Sequence, residues 1–411
     1  MSSLNADDAS DAGNSADVPA SGDLVRKEIL SDCSLCVIKV GTRVLTDDTG
    51  RIDDEQLTHL ADEIAVLRSR GIGVVLVSSG AVGAGLSQLE LESRPADVAS
   101  LQAIAAVGQS RLMHRYGRAF QAHGLMTAQV LLTADDLTDR TRYLNVRNTL
   151  LRLLELGTVP IVNENDTVAV DELVTKFGDN DRLAALVTNL LRAPLLVILS
   201  DIQGLYNGPP DDVQSQVIPT VNTVDDEIMA LAIDRASGLS RGGMASKLRA
   251  ARMVTVAGEN AIVASGRDRT TLRQVFAGQS IGTLFLAQGK SVSPRKRWIG
   301  FSAQTRGQLV LDRGAVRAVS GQGRSLLAIG VRRVKGDFNK GDVVGLLDEQ
   351  QREFARGLTN YSTDELQRIR GLTSDEFVDV LGHVPYEEVI HRDNLLVLDT
   401  SNPTTPETPS T

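Results

Sequence analysis

The sequence is poor in several things, and each shortage excludes something. Two cysteines in 411 residues cannot build a disulfide framework. No apolar run approaches the ~18 residues that cross a bilayer; the longest plain case, Ala193 to Leu199, contains Pro194. The first residues, MSSLNADDASDAGNSADVPASGD, have no basic n-region and no apolar h-region, so no secretory signal is expected. A basic excess is missing too: 43 Lys plus Arg stand against 52 Asp plus Glu, a net charge of −9, the wrong sign for a chain that lives on nucleic-acid backbone. Neither GxxxxGK[ST] nor GxGxxG occurs. These absences point to a soluble, cytoplasmic protein.

Two further shortages bear on chemistry. The five histidines (His59, His114, His123, His383, His391) fall outside every polar loop singled out below, which argues against a His-based triad. Lysine is scarce: 8 of the 43 basic residues, with only Lys39, Lys176 and Lys247 between residues 31 and 289.

What is present suffices for a large core, since 42% of the residues are hydrophobic. At ~150 residues per domain the length suggests two or three domains. Residues 1–30 read as a disordered acidic extension, because five Asp among the first 23 residues and little apolar surface cannot offset chain entropy. Residues 31–290 alternate short β-branched runs (36–40, 73–77, 158–163, 195–200, 261–264) with helical spacings (57–67, 143–156, 182–191, 245–257). The runs are apolar on both faces, as in a parallel sheet covered by helices, and predict an α/β, three-layer αβα sandwich with a mainly parallel sheet. Residues 291–306 read as a linker. Residues 307–393, crowded with turn signals such as Asp312-Arg313-Gly314 and Lys340-Gly341-Asp342, read as a small β-rich domain, and 394–411 as a Pro/Thr-rich tail.

Five loops are candidates for chemistry. In Val37-Ile38-Lys39-Val40-Gly41-Thr42, a lysine inside an apolar strand makes sense beside an anion at the sheet's carboxyl edge; the alternative is a snorkelling surface lysine. Ser78 to Gly85 puts small residues at a strand–helix junction, where backbone N–H groups suit anions. Asn163-Glu164-Asn165-Asp166 follows a strand directly, as a ligand loop or as an Asx-rich turn. Phe177-Gly178-Asp179-Asn180-Asp181 leads into a helix with more polar residues than one N-cap needs. Gly238 to Lys247 sets glycines, Ser240, Ser246 and Lys247 at a helix start, suited to phosphate. Ser200-Asp201 ends another strand and could meet a nucleotide or form a plain turn. Cys33-Ser34-Leu35-Cys36 has CxxC spacing, but no second pair completes a zinc site.

Taken in order, VIKVGT, VSSGAVGAG, VNENDTV, FGDND, LSDIQGLY and SRGGMASK resemble the amino acid kinase family. NENDTV followed by GDND resembles the branch that acts on glutamate. Lys296-Arg297-Trp298-Ile299, YSTDEL (361–366) and VIHRDNL (389–395) resemble a PUA domain. The resemblance implies the amino acid kinase fold and phosphorylation of the γ-carboxylate of L-glutamate by ATP with Mg2+, the first step of proline biosynthesis. It implies that Lys39 and Lys247 stabilise the transferring phosphoryl group and that Asp181 organises the site. Ser79, Asp166 and Asn180 would hold glutamate. Lys39, Ser200, Asp201 and the loop Arg241, Gly242, Gly243, Met244, Ala245, Ser246 and Lys247 would contact ATP, with no metal ligand assigned to the protein itself. Ser240-Arg241 stand where the family commonly has Gly-Thr. Feedback inhibition by proline, a homo-oligomer and hand-off of the acyl phosphate to glutamyl phosphate reductase are implied as well. The rivals are a relative acting on N-acetylglutamate, aspartate or a nucleoside monophosphate, or an RNA-binding regulator acting through the PUA domain. Against RNA, residues 307–393 carry 12 Lys plus Arg and 14 Asp plus Glu, with no basic stripe.

Overall fold

The computed structural model describes residues 21–47, 50–91, 93–168, 180–210, 212–233, 243–289, 293–382 and 386–398. Strands β1 (Leu35–Val40), β2 (Gly73–Ser78), β3 (Thr127–Leu132), β4 (Val159–Glu164), β5 (Leu195–Ser200), β6 (Thr220–Val221), β7 (Asn260–Ser265) and β8 (Thr283–Phe285) form an eight-stranded sheet in the order β3-β4-β2-β1-β5-β7-β8-β6. Neighbours run parallel except β7 and β8.

The central strands are apolar throughout because both faces are covered, and successive side chains part to opposite sides. Ile38 and Val40 of β1, with Val74, Leu76, Val197 and Leu199, enter one core. Val37, with Val75, Val77, Leu196 and Ile198, enters the other.

Among the described residues, the helices of this domain are α1 (Ser21–Ser31), α2 (Thr42–Leu45), α3 (Asp54–Ser69), α4 (Ala81–Gln88), α5 (Val98–Gln121), α6 (Ala134–Thr138), α7 (Arg140–Glu155), α8 (Asn180–Leu191), α9 (Asp226–Ile233), α10 (Met244–Val256) and α11 (Thr271–Phe276). Helix α3 starts where Asp53 accepts from the N–H groups of Glu55 and Gln56, and Leu57, Leu60, Ile64 and Leu67 give it one buried stripe. That face also takes Leu112, Tyr116 and Phe120 of α5. The opposite face takes Tyr143 and Leu150 of α7, Leu183, Leu186 and Val187 of α8, and Leu248 and Val254 of α10. The αβα sandwich predicted from sequence is therefore present.

The boundaries drawn from sequence need three corrections. Residues 21–30, assigned to a disordered extension, belong to helix α1, where Arg26 is 1% exposed. Its guanidinium donates to the carbonyls of Pro219 at 2.9 Å and Ile281 at 2.5 Å, so a charge that looked like tail solvation satisfies buried backbone acceptors. Residues 1–20 lie outside the described residues. Of the stretch 291–306, the described residues 293–306 are not a free linker: α12 (Pro294–Arg297) and a π-type turn at Trp298–Ser302 follow one another, and Arg297, fully buried, pairs with Glu259 at 2.5 Å. Last, the tail does not begin at 394, since β13 (Leu395–Val397) pairs antiparallel with a strand of the second domain.

That second domain comprises β9 (Gly307–Leu311), α13 (Arg313–Ser320), β10 (Val331–Gly336), β11 (Val343–Leu347), β12 (Glu353–Leu358), α14 (Thr363–Ile369), α15 (Phe377–Leu381) and β13, with sheet order β10-β9-β11-β12-β13. Its own core holds Leu309, Val344, Leu346, Tyr361 and Ile390. Among the described residues, no helix is long and apolar enough to cross a membrane.

Candidate active site

Strands β1, β2, β4 and β5 end at a common edge: Val40 lies beside Ser78 and Leu199, and Val77 beside Val162. The chain leaves β1 toward β2 on one side and reaches β5 on the other. That is the switch point at which parallel α/β sheets open a crevice.

Lys39 is on β1 opposite Val77 and Ile198. Its place two residues after Val37 sends it to the face covered by α8 and α10. Asp181 sits in the first turn of α8 and Lys247 in the first turn of α10, and these helices pack together. The result is a bridge: Asp181 Oδ1 lies 2.7 Å from Lys39 Nζ, and Asp181 Oδ2 lies 3.4 Å from Lys247 Nζ. Exposure is 6% for Lys39, 8% for Lys247 and 1% for Asp181, which removes the reading of Lys39 as a snorkelling surface lysine and places Lys247 out of solvent as well.

Burial pushes the Asp181 carboxyl up, but Lys39 and then Lys247 outweigh it and hold the group below its ordinary range. Burial pushes Lys247 down, Asp181 opposes this, Lys39 adds like-charge repulsion, and the ammonium ends below its usual value. The pair of cations exceeds its carboxylate by one charge. Helix α10 has Gly243 at its N-cap, so among the described residues no side chain caps its first N–H groups. Two ammonium groups and an uncapped helix start suit phosphate oxygens.

Next to the bridge, Asn180 donates through Nδ2 to Ser79 Oγ at 3.0 Å and to Asn163 Oδ1 at 3.2 Å. Asn163 donates through Nδ2 to Gln109 Oε1 at 2.8 Å and accepts from the Glu164 N–H at 3.0 Å. Ser79 is placed by the turn after β2, where Gly80 takes φ 104°, a left-handed conformation that glycine adopts without strain. Gly41 differs: its φ of −72° suits any residue, so the turn after Lys39 does not demand glycine. Gly85 belongs to packing, not ligand approach, because a Cβ there would fall 2.0 Å from the Ile104 carbonyl oxygen on α5.

Asp166 lies past the end of β4. Its carboxyl is pushed up to about 6, first by burial and then by Glu164, against the pull of Arg94. Ser200 ends β5 and donates to Asp201 Oδ1 at 3.0 Å. Asp201 also pairs with Arg43 at 2.8 Å. Burial raises its carboxyl, but the Arg43 and Ser200 hydrogen bonds more than offset this and leave it below its ordinary range.

The structure thus gathers Lys39, Lys247, Asp181, Asn180 and Ser79. Gly243, Met244, Ala245 and Ser246 open α10, but the Met244 side chain is buried in the core, leaving its backbone for a ligand. Arg241, Gly242, Ser240, Lys176 and Phe177 to Asp179 lie outside the described residues. Gln109, Tyr116 (2.8 Å from Ser78 Oγ) and Arg43 carry polar contacts here that the sequence reading does not single out. Gln109 and Tyr116 stand on the amphipathic helix α5 among other polar residues such as Gln102, Ser110, Arg111 and His114, so neither gives a local signal. Cys33 and Cys36 are free and buried, and burial pushes the Cys33 thiol up to about 11 and Cys36 well above its ordinary value, the signature of inert core thiols. No group of three or more His, Cys, Asp or Glu placed to hold a metal occurs among the described residues.

Comparison with known proteins identifies relatives of the whole chain. Residues 34–265 match the profile of the amino acid kinase family, and residues 307–381 match that of the PUA domain. A glutamate 5-kinase of Rhodopirellula baltica is 48% identical over 91% of this chain and 96% of its own length. One from Citrifermentans bemidjiense is 47% identical over 91% of this chain and 100% of its own. A third, from Thioalkalivibrio sulfidiphilus, is 48% identical over 88% of this chain and 96% of its own.

Proposed function

The chain belongs to the amino acid kinase family and carries a C-terminal PUA domain, and from that premise we propose how its residues divide the work of a glutamate kinase. The reaction is ATP-dependent phosphorylation of the γ-carboxylate of L-glutamate, giving L-glutamyl 5-phosphate and ADP, the first step of proline biosynthesis.

A γ-carboxylate with an ordinary pKa of ~4.3 is already ionised at neutral pH. It attacks the γ-phosphorus of ATP without a general base, which accords with the absence of histidine from the candidate loops. One carboxylate oxygen forms the new P–O bond, and the bond to the β-phosphate oxygen breaks with its electron pair leaving on ADP. The demand on the protein is charge neutralisation and in-line alignment. In our reading Lys39 and Lys247 supply the first, and Asp181 holds both ammonium groups in place and charged. The observation that carries this is the buried carboxylate spanning the two lysines. Ser79, Asn180 and Asp166 then take glutamate, and the start of α10 together with Ser200 and Asp201 takes the nucleotide.

The donor set around the lysines is cationic, which fits phosphate oxygens and not a metal cage. Mg2+, which retains most of its water and favours substrate phosphates, would come in on ATP and add charge neutralisation there. Feedback inhibition by proline, a homo-oligomeric state, transfer of the labile acyl phosphate to a glutamyl phosphate reductase and a cytoplasmic location are part of the same proposal and rest on the family resemblance.

The test is coupled ADP release with glutamate, aspartate, N-acetylglutamate and UMP, with and without proline. Turnover that depends on glutamate and is inhibited by proline is expected. Turnover of aspartate or UMP without glutamate activity would overturn the reading.

A further inference from the structure

The backbone N–H of Glu164 donates to Asn163 Oδ1 at 3.0 Å. A peptide N–H can only donate, so the atom it meets is oxygen, and this settles which way the Asn163 amide lies. The choice propagates. Asn163 must turn Nδ2 toward Gln109, which answers with Oε1 at 2.8 Å. Asn163 Oδ1 faces Asn180, which answers with Nδ2 at 3.2 Å and gives the same nitrogen to Ser79 Oγ at 3.0 Å. What remains at the end is Asn180 Oδ1, a buried acceptor with no hydrogen-bond partner among the described residues, on a residue 2% exposed.

An orphaned buried acceptor calls for a donor. Glutamate has two carboxylates, which only accept when ionised, and one donor, its α-ammonium group. We propose that Gln109 is a positioning residue for that ammonium: by accepting from Asn163 it locks the polarity of the chain Gln109–Asn163–Asn180, so that Asn180 presents oxygen to the substrate. Without the Gln109 acceptor the Asn163 Nδ2 loses its buried partner, and the Glu164 N–H alone is left to hold the Asn163 amide, and through it the Asn180 amide, in this orientation. An Asn180 amide turned the other way presents Nδ2, which repels an ammonium. Gln109 reaches this role from α5, across the sheet edge from the lysines, and acts through Asn163. The proposal rests on glutamate being the substrate.

The test compares two ligands of full-length enzyme: glutamate, and glutarate, which lacks only the α-ammonium and is read as a competitive inhibitor. Gln109→Met removes the acceptor at nearly constant volume. It is expected to raise KM for glutamate at least about tenfold, while KM for ATP and the inhibition constant of glutarate stay within about threefold. Gln109→Glu again offers oxygen to Asn163 and is expected to return KM for glutamate to within about threefold of the parent. Equal weakening of glutamate and glutarate would reduce Gln109 to a packing role and overturn the proposal. An unchanged KM in Gln109→Met, or a Gln109→Glu enzyme as impaired as Gln109→Met, would overturn it as well. If Gln109→Met does not fold, Gln109→Asn, one methylene short of Asn163, carries the same comparison. A parent enzyme that fails to turn over glutamate would instead overturn the substrate assignment, and this proposal with it.

Discussion

Asp181 and Lys39 meet at 2.7 Å although one opens a helix and the other lies within a strand that reads as apolar core. The carboxylate is also shared with Lys247, so three charged side chains are buried with a net charge of one. Burying charge is tolerable here because each group has a partner, and the surplus positive charge is what a phosphoryl group would meet.

Asp181→Asn removes the only carboxylate of this bridge and leaves two buried ammonium groups facing each other. The expected loss of stability is ~3–5 kcal/mol, the cost of breaking a buried pair from one side, and kcat is expected to fall by orders of magnitude. Thermal melting and steady-state kinetics check both. The sign with pH follows from the direction of the shift. A carboxyl held below its ordinary range stabilises the fold above that range and loses this contribution as pH falls through the folded value.

Lys39→Ala and Lys247→Ala are each expected to lower kcat by ~10²–10³-fold, the scale of losing one preorganised charge or donor at the transition state. The fold should survive, as judged by circular dichroism, because Asp181 keeps one ammonium partner in either variant. Near-normal turnover by Lys247→Ala would remove it from the transition state.

Asp166 gives the enzyme a pH dependence of its own. Burial and Glu164 push its carboxyl up to about 6, so it protonates near that pH. On the proposed role of Asp166 in holding glutamate, its neutral form would attract the cationic α-ammonium of the substrate less. KM for glutamate is therefore expected to climb as pH falls through about 6, while KM for ATP stays flat. Asp166→Asn should show a raised KM that no longer changes across that interval, and a pH series of initial rates decides it.

Gly108→Ala tests the scaffold. An added Cβ would fall 1.8 Å from the Ala81 carbonyl oxygen and 2.3 Å from the Gly85 nitrogen, both backbone atoms. Helices α4 and α5 would have to separate, and the Ser79 and Gln109 side chains would lose their relation. A loss of ~3 kcal/mol or more in denaturant unfolding is expected, at the high end for single substitutions. Gly80→Ala should cost less, ~1–2 kcal/mol, from forcing an L-residue to φ 104°.

The central strands β1, β2, β4, β5 and β7 were legible because a strand covered on both faces writes its burial into a continuous apolar run. Lys39 stood out against such a run, and the scarcity of lysine made Lys247 conspicuous. Edge strand β3 was harder: Thr127 to Leu131 are only partly buried or exposed, so its sequence shows no such run. Arg26 looked like part of an acidic tail because nothing local reveals that the carbonyls of Pro219 and Ile281 await a donor.

The sequence by itself determined the alternation of strand and helix, the family to which its loops belong, and the residue types available for phosphoryl transfer. Tertiary structure alone decided that Asp181 spans Lys39 and Lys247, that Asn163 donates to Gln109 and accepts from Asn180, and that Arg297 is buried against Glu259. The reason is physical. Periodicity is a local imprint of which side faces the core, and it survives in any short window of sequence. Convergence depends on strand order, on which face each helix covers and on hydrogen-bond direction across contacts distant in sequence, and these are fixed only when the whole sheet closes.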